Sequence, residues 1–184
     1  MTTQQVLFIQ GGGEDAYVED QKLASNLQTR LGEDYTVLYP PMPDADNPTY
    51  AAWKQTMQRA VDEFSGEVIY VGHSFGASLV IKALAEGALN APKALFLLAA
   101  PYWGGQDWDV SDYELPENFA DQLPTDLPIF LYHSRDDAWV PFAHLARYAQ
   151  QLPQATVREF ADRGHQFNND LSEVAQDIRE LESK

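Results

Sequence analysis

The stretch Val68-Ile69-Tyr70-Val71-Gly72-His73-Ser74-Phe75-Gly76-Ala77-Ser78-Leu79-Val80-Ile81 decides the fold. Its first four residues are apolar and rich in β-branched and aromatic types, which reads as a buried strand, and residues 77–84 read as a helix. Between them Gly72-His73-Ser74-Phe75-Gly76 matches G-x-S-x-G, and strand, sharp turn, helix is the setting this pattern requires. A turn this tight strains the backbone of the serine and leaves no room for bulk two residues to either side, which accounts for glycine at 72 and 76. The hydroxyl of Ser74 then stands above the carboxyl edge of a sheet, and the unpaired amides that open the next helix face the place where an oxyanion would develop. Phe75 would supply one such amide. The second donor is expected from Gln10-Gly11-Gly12-Gly13, with Gly12 the first candidate and Gly13 beside it. Glu14, Asp15 and Ala16 follow instead of the G-x-G-x-x-G spacing, so these glycines are not a dinucleotide fingerprint, and two acids there would repel a pyrophosphate.

Working outward, six apolar runs alternate with stretches of helical period: Val6 to Ile9, Thr36 to Leu38, Val68 to Val71, Ala94 to Leu98, Ile129 to Tyr132 and Thr156 to Phe160. Most are too uniformly apolar to leave one face in water, the mark of βαβ units building a parallel sheet. Leu23, Leu27 and Leu31 recur every four residues. Trp53, Met57, Ala60, Val61 and Phe64 trace a second stripe behind the start signal Asn47-Pro48, and Leu171, Val174, Ala175, Ile178 and Leu181 a third, on a helix expected to open at Asn169 or Asp170. The expected architecture is α/β: roughly six mainly parallel strands with helices on both faces and no large lid, in one domain over residues 1–184. The one long irregular segment, Pro101 to Pro128, reads as a binding loop or short cap.

With 28 Asp and Glu against 12 Lys and Arg, the formal charge is −16, which disfavours nucleic acid and anionic membrane surfaces as partners. No cysteine is present, which excludes disulfides, thiolate metal sites and a cysteine nucleophile, and is the usage expected of a cytoplasmic protein. The run Val6 to Ile9 is too short for a signal peptide or a membrane span. Asp107, Asp109 and Asp112 lack the glycine and distal glutamate of an EF-hand, so no metal site is expected.

A serine hydroxyl is a poor nucleophile until a histidine accepts its proton and a carboxylate orients that histidine. Of His73, His133, His144 and His165, the last follows the sixth strand and precedes the final helix, where a loop can reach Ser74. His73 should point away from the hydroxyl as a packed or hydrogen-bonded residue of the turn, His133 ends a strand, and His144 is expected on an exposed helix face. The acid follows the strand Ile129 to Tyr132, where both Asp136 and Asp137 are available.

Together these residues resemble the small α/β-hydrolases, in particular the compact serine hydrolases of the bacterial YdeN type and the related retinoblastoma-binding type. The resemblance runs from Val6 to Leu181, and its specific parts are the Gly72 to Gly76 pentapeptide, Asp137-Ala138-Trp139-Val140-Pro141 and Gly164-His165. It implies the acid three residues ahead of Val-Pro, which is Asp137, and a Ser74, His165, Asp137 triad acting on an ester, thioester or amide of a small or acylated substrate without a cofactor. Relatives carry a second small residue after the nucleophile where this chain has Phe75. Without cysteine the chain lacks the motif linked to retinoblastoma binding, so that partner does not carry over. Tyr102, Trp103, Trp108 and Trp139 are candidates for the pocket wall or, equally, for packing. Two other readings stand beside the hydrolase: an acyltransferase, and a non-catalytic binding or scaffolding protein that keeps the fold.

Overall fold

A computed structural model describes residues 3–90, 92–104 and 110–181. Six strands, β1 (Gln4–Ile9), β2 (Tyr35–Leu38), β3 (Val68–His73), β4 (Pro92–Leu98), β5 (Ile129–Ser134) and β6 (Thr156–Phe160), form one sheet in the order β2-β1-β3-β4-β5-β6. Every pairing is parallel. β1 and β3 lie side by side at the middle, so the chain turns back on itself there, and the loops that follow these two strands meet at the carboxyl edge.

The period of two along each strand sends alternate residues to opposite faces. Val6, Phe8, Ile69, Val71, Phe96 and Leu98 face one way, against α1 (Ala16–Leu31) and α6 (Ser172–Glu180). Leu7, Ile9, Tyr70, Leu95, Leu97 and Leu131 face the other, against α2 (Tyr50–Asp62), α3 (Phe75–Ala85), the short α4 (Phe119–Gln122) and α5 (Ala143–Gln151). Leu23 and Leu27 are fully buried where α1 meets the sheet. Each such side chain stabilises the fold by roughly 1.5–3 kcal/mol. α3 is buried on all sides, which explains why its sequence shows almost no polar face.

Two helix starts differ from the sequence expectation. α2 begins after Thr49, whose hydroxyl accepts the Ala52 amide, while the Asp112 carboxylate accepts the Tyr50 amide; Asn47-Pro48 lies in the preceding loop. α6 opens at Ser172 and not at Asn169 or Asp170, because Phe167, Asn168 and Asn169 form a 3₁₀ turn with φ of +50°, +54° and +56°, and Asp170 serves instead as acceptor for the amide and hydroxyl of Ser172. The buried carboxylate of Asp177 fixes α6: it accepts from the Tyr132 hydroxyl at 2.5 Å and from Nη2 of the more exposed Arg158 at 2.7 Å, tying the helix to β5 and β6. Within the segment after β4, Phe119, Leu123 and Leu127 are buried in the core. Among the described residues no helix is long and apolar enough to cross a membrane.

Candidate active site

Ser74 occupies the turn between β3 and α3 with φ 52° and ψ −126°, a conformation that side-chain-bearing residues rarely adopt. The flanking glycines are demanded by contact. A Cβ on Gly76 would lie 2.1 Å from the Gln10 carbonyl oxygen, and one on Gly72 would lie 2.5 Å from the Cα of Ala77. The elbow is thus pressed against the end of β1, and the serine is held where the β1 loop passes over it. Gln10 is fully buried and braces that loop, accepting the Met42 amide at 3.1 Å and donating to the Gly11 carbonyl. Within the loop, the Gly11 amide donates to Asp20 and the Gly13 amide to the Ala45 carbonyl at 2.7 Å. The amide of Gly12 is the one these bonds leave uncommitted among the described residues, and Gly12 lines the same cleft as Ser74.

His165 lies in the loop after β6, ahead of the 3₁₀ turn. Its Nδ1 stands 2.8 Å from Asp137 Oδ2. A carboxylate only accepts, so Nδ1 carries the hydrogen and Nε2 presents its lone pair. Ser74 and His165 line one cleft of about 420 Å³, together with Gly11 to Asp15, His73 and Trp139. Among the described residues no hydrogen bond joins the Ser74 hydroxyl to His165. Burial pushes the His165 ring toward its neutral form, the bond to Asp137 opposes this, and the His73 charge supports it; the net shift is below the ordinary histidine value.

Of the two adjacent acids only Asp137 reaches the imidazole. Its side chain is fully enclosed, and its second oxygen accepts the amides of Trp139 and Val140 at 2.8 and 2.9 Å. Burial alone would raise its pKa, but bonds from His133, His165 and the Val140 amide outweigh that and hold the carboxyl far below the usual range. Asp136 turns away, accepting the Ser134 hydroxyl at 2.5 Å and the Gly164 amide at 2.9 Å, so it pins the His165 loop from outside. Arg135 pairs with Glu159 across the strand ends.

His73 is buried and bonded to Asp20 and to the His165 carbonyl, the packed residue expected of it. His133 carries more than its place at a strand end suggested: its Nε2–H sits between Asp137 Oδ2 and the Val140 carbonyl, each at 3.1 Å. His144 is half-buried, not exposed, because its Nδ1 accepts the Tyr102 amide at 2.9 Å. It joins Ser74, Phe75, Trp103, Trp139, Val140 and Pro141 in lining a smaller, largely apolar pocket of about 160 Å³.

The aromatic candidates divide. Trp103 and Phe75 wall the smaller pocket, and the Phe75 ring packs edge-on to Trp53 and Tyr113. Trp139 lines both recesses and is 78% exposed. Tyr102 lines neither recess: its ring packs edge-on against Tyr148, and its backbone amide donates to His144 Nδ1. Trp108 lies outside the described residues.

An all-parallel sheet in this order, with a strained serine after its third strand and an aspartate-bonded histidine after its sixth, is the architecture of an α/β-hydrolase. The serine hydrolase family model matches residues 18–172, and the chain belongs to that family and is an enzyme. Solved structures with the same fold include Est1E from Butyrivibrio proteoclasticus, at TM-score 0.74 and 18% identity over 100% of this chain and 90% of that one. The ydeN gene product of B. subtilis is similar at TM-score 0.75 and 19% identity, over 99% and 100% of the two chains. So is a hydrolase of the α/β superfamily from Xanthomonas campestris pv. campestris, described as putative, at TM-score 0.68 and 22% identity over the full length of both. No curated protein matches the chain in sequence.

Proposed function

We propose that this serine hydrolase cleaves carboxylic esters, thioesters or amides of small molecules through Ser74 as nucleophile, His165 as base and Asp137 as the acid that orients it. The observation that supports this most is the 2.8 Å bond from His165 Nδ1 to a carboxylate, on an imidazole that shares a cleft with a strained serine. Ser74 Oγ attacks the carbonyl carbon while His165 Nε2 takes its proton, an approach that closes as substrate binds, since such contacts are commonly long beforehand. The oxyanion of the tetrahedral intermediate meets the amides of Phe75 and Gly12. Collapse expels the alkoxide, thiolate or amine, which receives the proton held on His165. Water then attacks the acyl-enzyme with His165 again as base, releasing the acid and restoring the serine.

The two recesses that meet at Ser74 divide the substrate. The smaller pocket, with its aromatic and proline walls, takes a short acyl chain, and the larger cleft takes the leaving group, its rim formed by Gly13 and Trp139. Turnover of p-nitrophenyl esters of increasing acyl length tests this. Acetyl to butyryl esters should be preferred over octanoyl, and Ser74→Ala should abolish turnover; full activity in that variant overturns the proposal.

A further inference from the structure

Asp20 lies on α1 among the apolar positions Leu23, Ala24, Leu27 and Leu31, and is 2% exposed. The catalytic cycle above makes no use of it. Its Oδ2 accepts the Gly11 amide at 2.7 Å and His73 Nδ1 at 2.8 Å, and its Oδ1 accepts Gln166 Nε2 at 3.0 Å. One carboxylate thus holds three segments: the loop bearing Gly12, the end of β3 that leads into Ser74, and the loop bearing His165.

The partner ring is as informative. His73 Nε2 stands 2.9 Å from the carbonyl oxygen of His165, which can only accept. Nδ1 faces an oxygen of Asp20, and an ionised carboxylate only accepts, so against that carboxylate Nδ1 donates as well. With hydrogen on both nitrogens, His73 is an imidazolium, and its charge is balanced by Asp20 inside the protein. The pKa directions agree. Burial would lower that of His73 and raise that of Asp20, yet each is shifted the other way by its partner.

We propose that Asp20 and His73 form a buried positioning ion pair that keeps the oxyanion loop, the nucleophile and the backbone of the base in register for the reaction. This rests on the Ser74 and His165 assignment. Stability alone is a weak reason for such a pair, because a buried ion pair generally gains little over well-packed apolar residues of the same volume. What sets this one apart is its list of partners, which are the segments whose relative placement catalysis requires.

Two measurements test the pair. In the wild-type protein at about pH 8, above the ordinary histidine pKa of about 6.5, nitrogen-edited NMR should show hydrogen on both ring nitrogens of His73. A neutral His73 with one hydrogen would overturn the proposal, and this reading does not depend on any variant folding. In Asp20→Asn, kcat per competent site, with sites counted by saturating fluorophosphonate labelling, should fall on the order of 10- to 100-fold. KM should stay within about threefold. An unchanged kcat per site would refute the positioning role while leaving the Ser74 assignment standing. A wild-type protein that takes no label at Ser74 would instead remove that assignment, and the inference with it.

Discussion

Asp136 and Asp137 are neighbours in sequence with opposite environments, one exposed and bonded to the loop backbone, the other enclosed between two imidazoles. Asp137→Asn keeps the shape but reverses the polarity of the bond to His165, so kcat should fall by about 10⁴-fold, as in serine proteases. Asp136→Asn retains an acceptor for the Gly164 amide and should cost under about tenfold; kcat/KM of both variants on one ester checks the pair. The pH profile follows from the same contacts. In the proposed mechanism His165 must be neutral to accept a proton, and its pKa is shifted below the ordinary value, so kcat/KM should rise along an acid limb centred below about 6.5 and lie flat above it. A limb centred above that value would contradict the electrostatics described. Stability moves differently. The folded-state pKa of Asp137 is depressed, so its contribution is present above the unfolded value of about 3.9 and is lost as pH falls further.

At the scale of elements, the elbow lies so close to the end of β1 that position 76 has no room for a side chain. Gly76→Ala places a methyl group into the Gln10 carbonyl, and backbone must move on both sides. Urea unfolding of that variant should show a loss of about 1–3 kcal/mol, or more. Five of the strands were legible as short apolar runs bounded by turn residues, β6 by its β-branched and aromatic residues around Arg158 and Glu159, and the turn position of Ser74 because G-x-S-x-G stood between strand and helix. The starts of α2 and α6 were not, since both depend on acceptors supplied from elsewhere: Asp112 for the first, and for the second a turn of three left-handed residues that no pattern announces. Asp20 left a signal that could have been caught, a carboxylate on the apolar face of α1. Its role needed His73 and Gln166, 53 and 146 residues away, and distance of that kind is invisible to periodicity. The exposure of Trp139 was equally unreadable, because aromatic residues wall pockets and pack cores with the same composition. Trp139→Ala should leave stability within about 0.5 kcal/mol and raise KM severalfold, as thermal melting and ester kinetics can show.

At the scale of the whole molecule, a net charge of −16 surrounds a cleft whose described lining includes Glu14, Asp15 and Glu19 and no lysine or arginine. Anionic substrates should therefore be turned over more slowly than neutral ones of similar size. The penalty should shrink as salt shortens the reach of the field from about 10 Å at 0.1 M to about 3 Å at 1 M. A p-nitrophenyl hemisuccinate compared with the butyrate at the two salt concentrations measures it. The fold delivers to one edge a serine from the middle of the sheet and a histidine from the last loop, and the proposed chemistry depends on those two acting on each other. Peptide mapping after fluorophosphonate treatment of the wild-type, Ser74→Ala and His165→Ala proteins tests this most directly. An adduct on Ser74 is expected in the wild type, none in Ser74→Ala, and labelling slowed by orders of magnitude in His165→Ala; undiminished labelling of either variant would contradict the proposed pairing of Ser74 with His165.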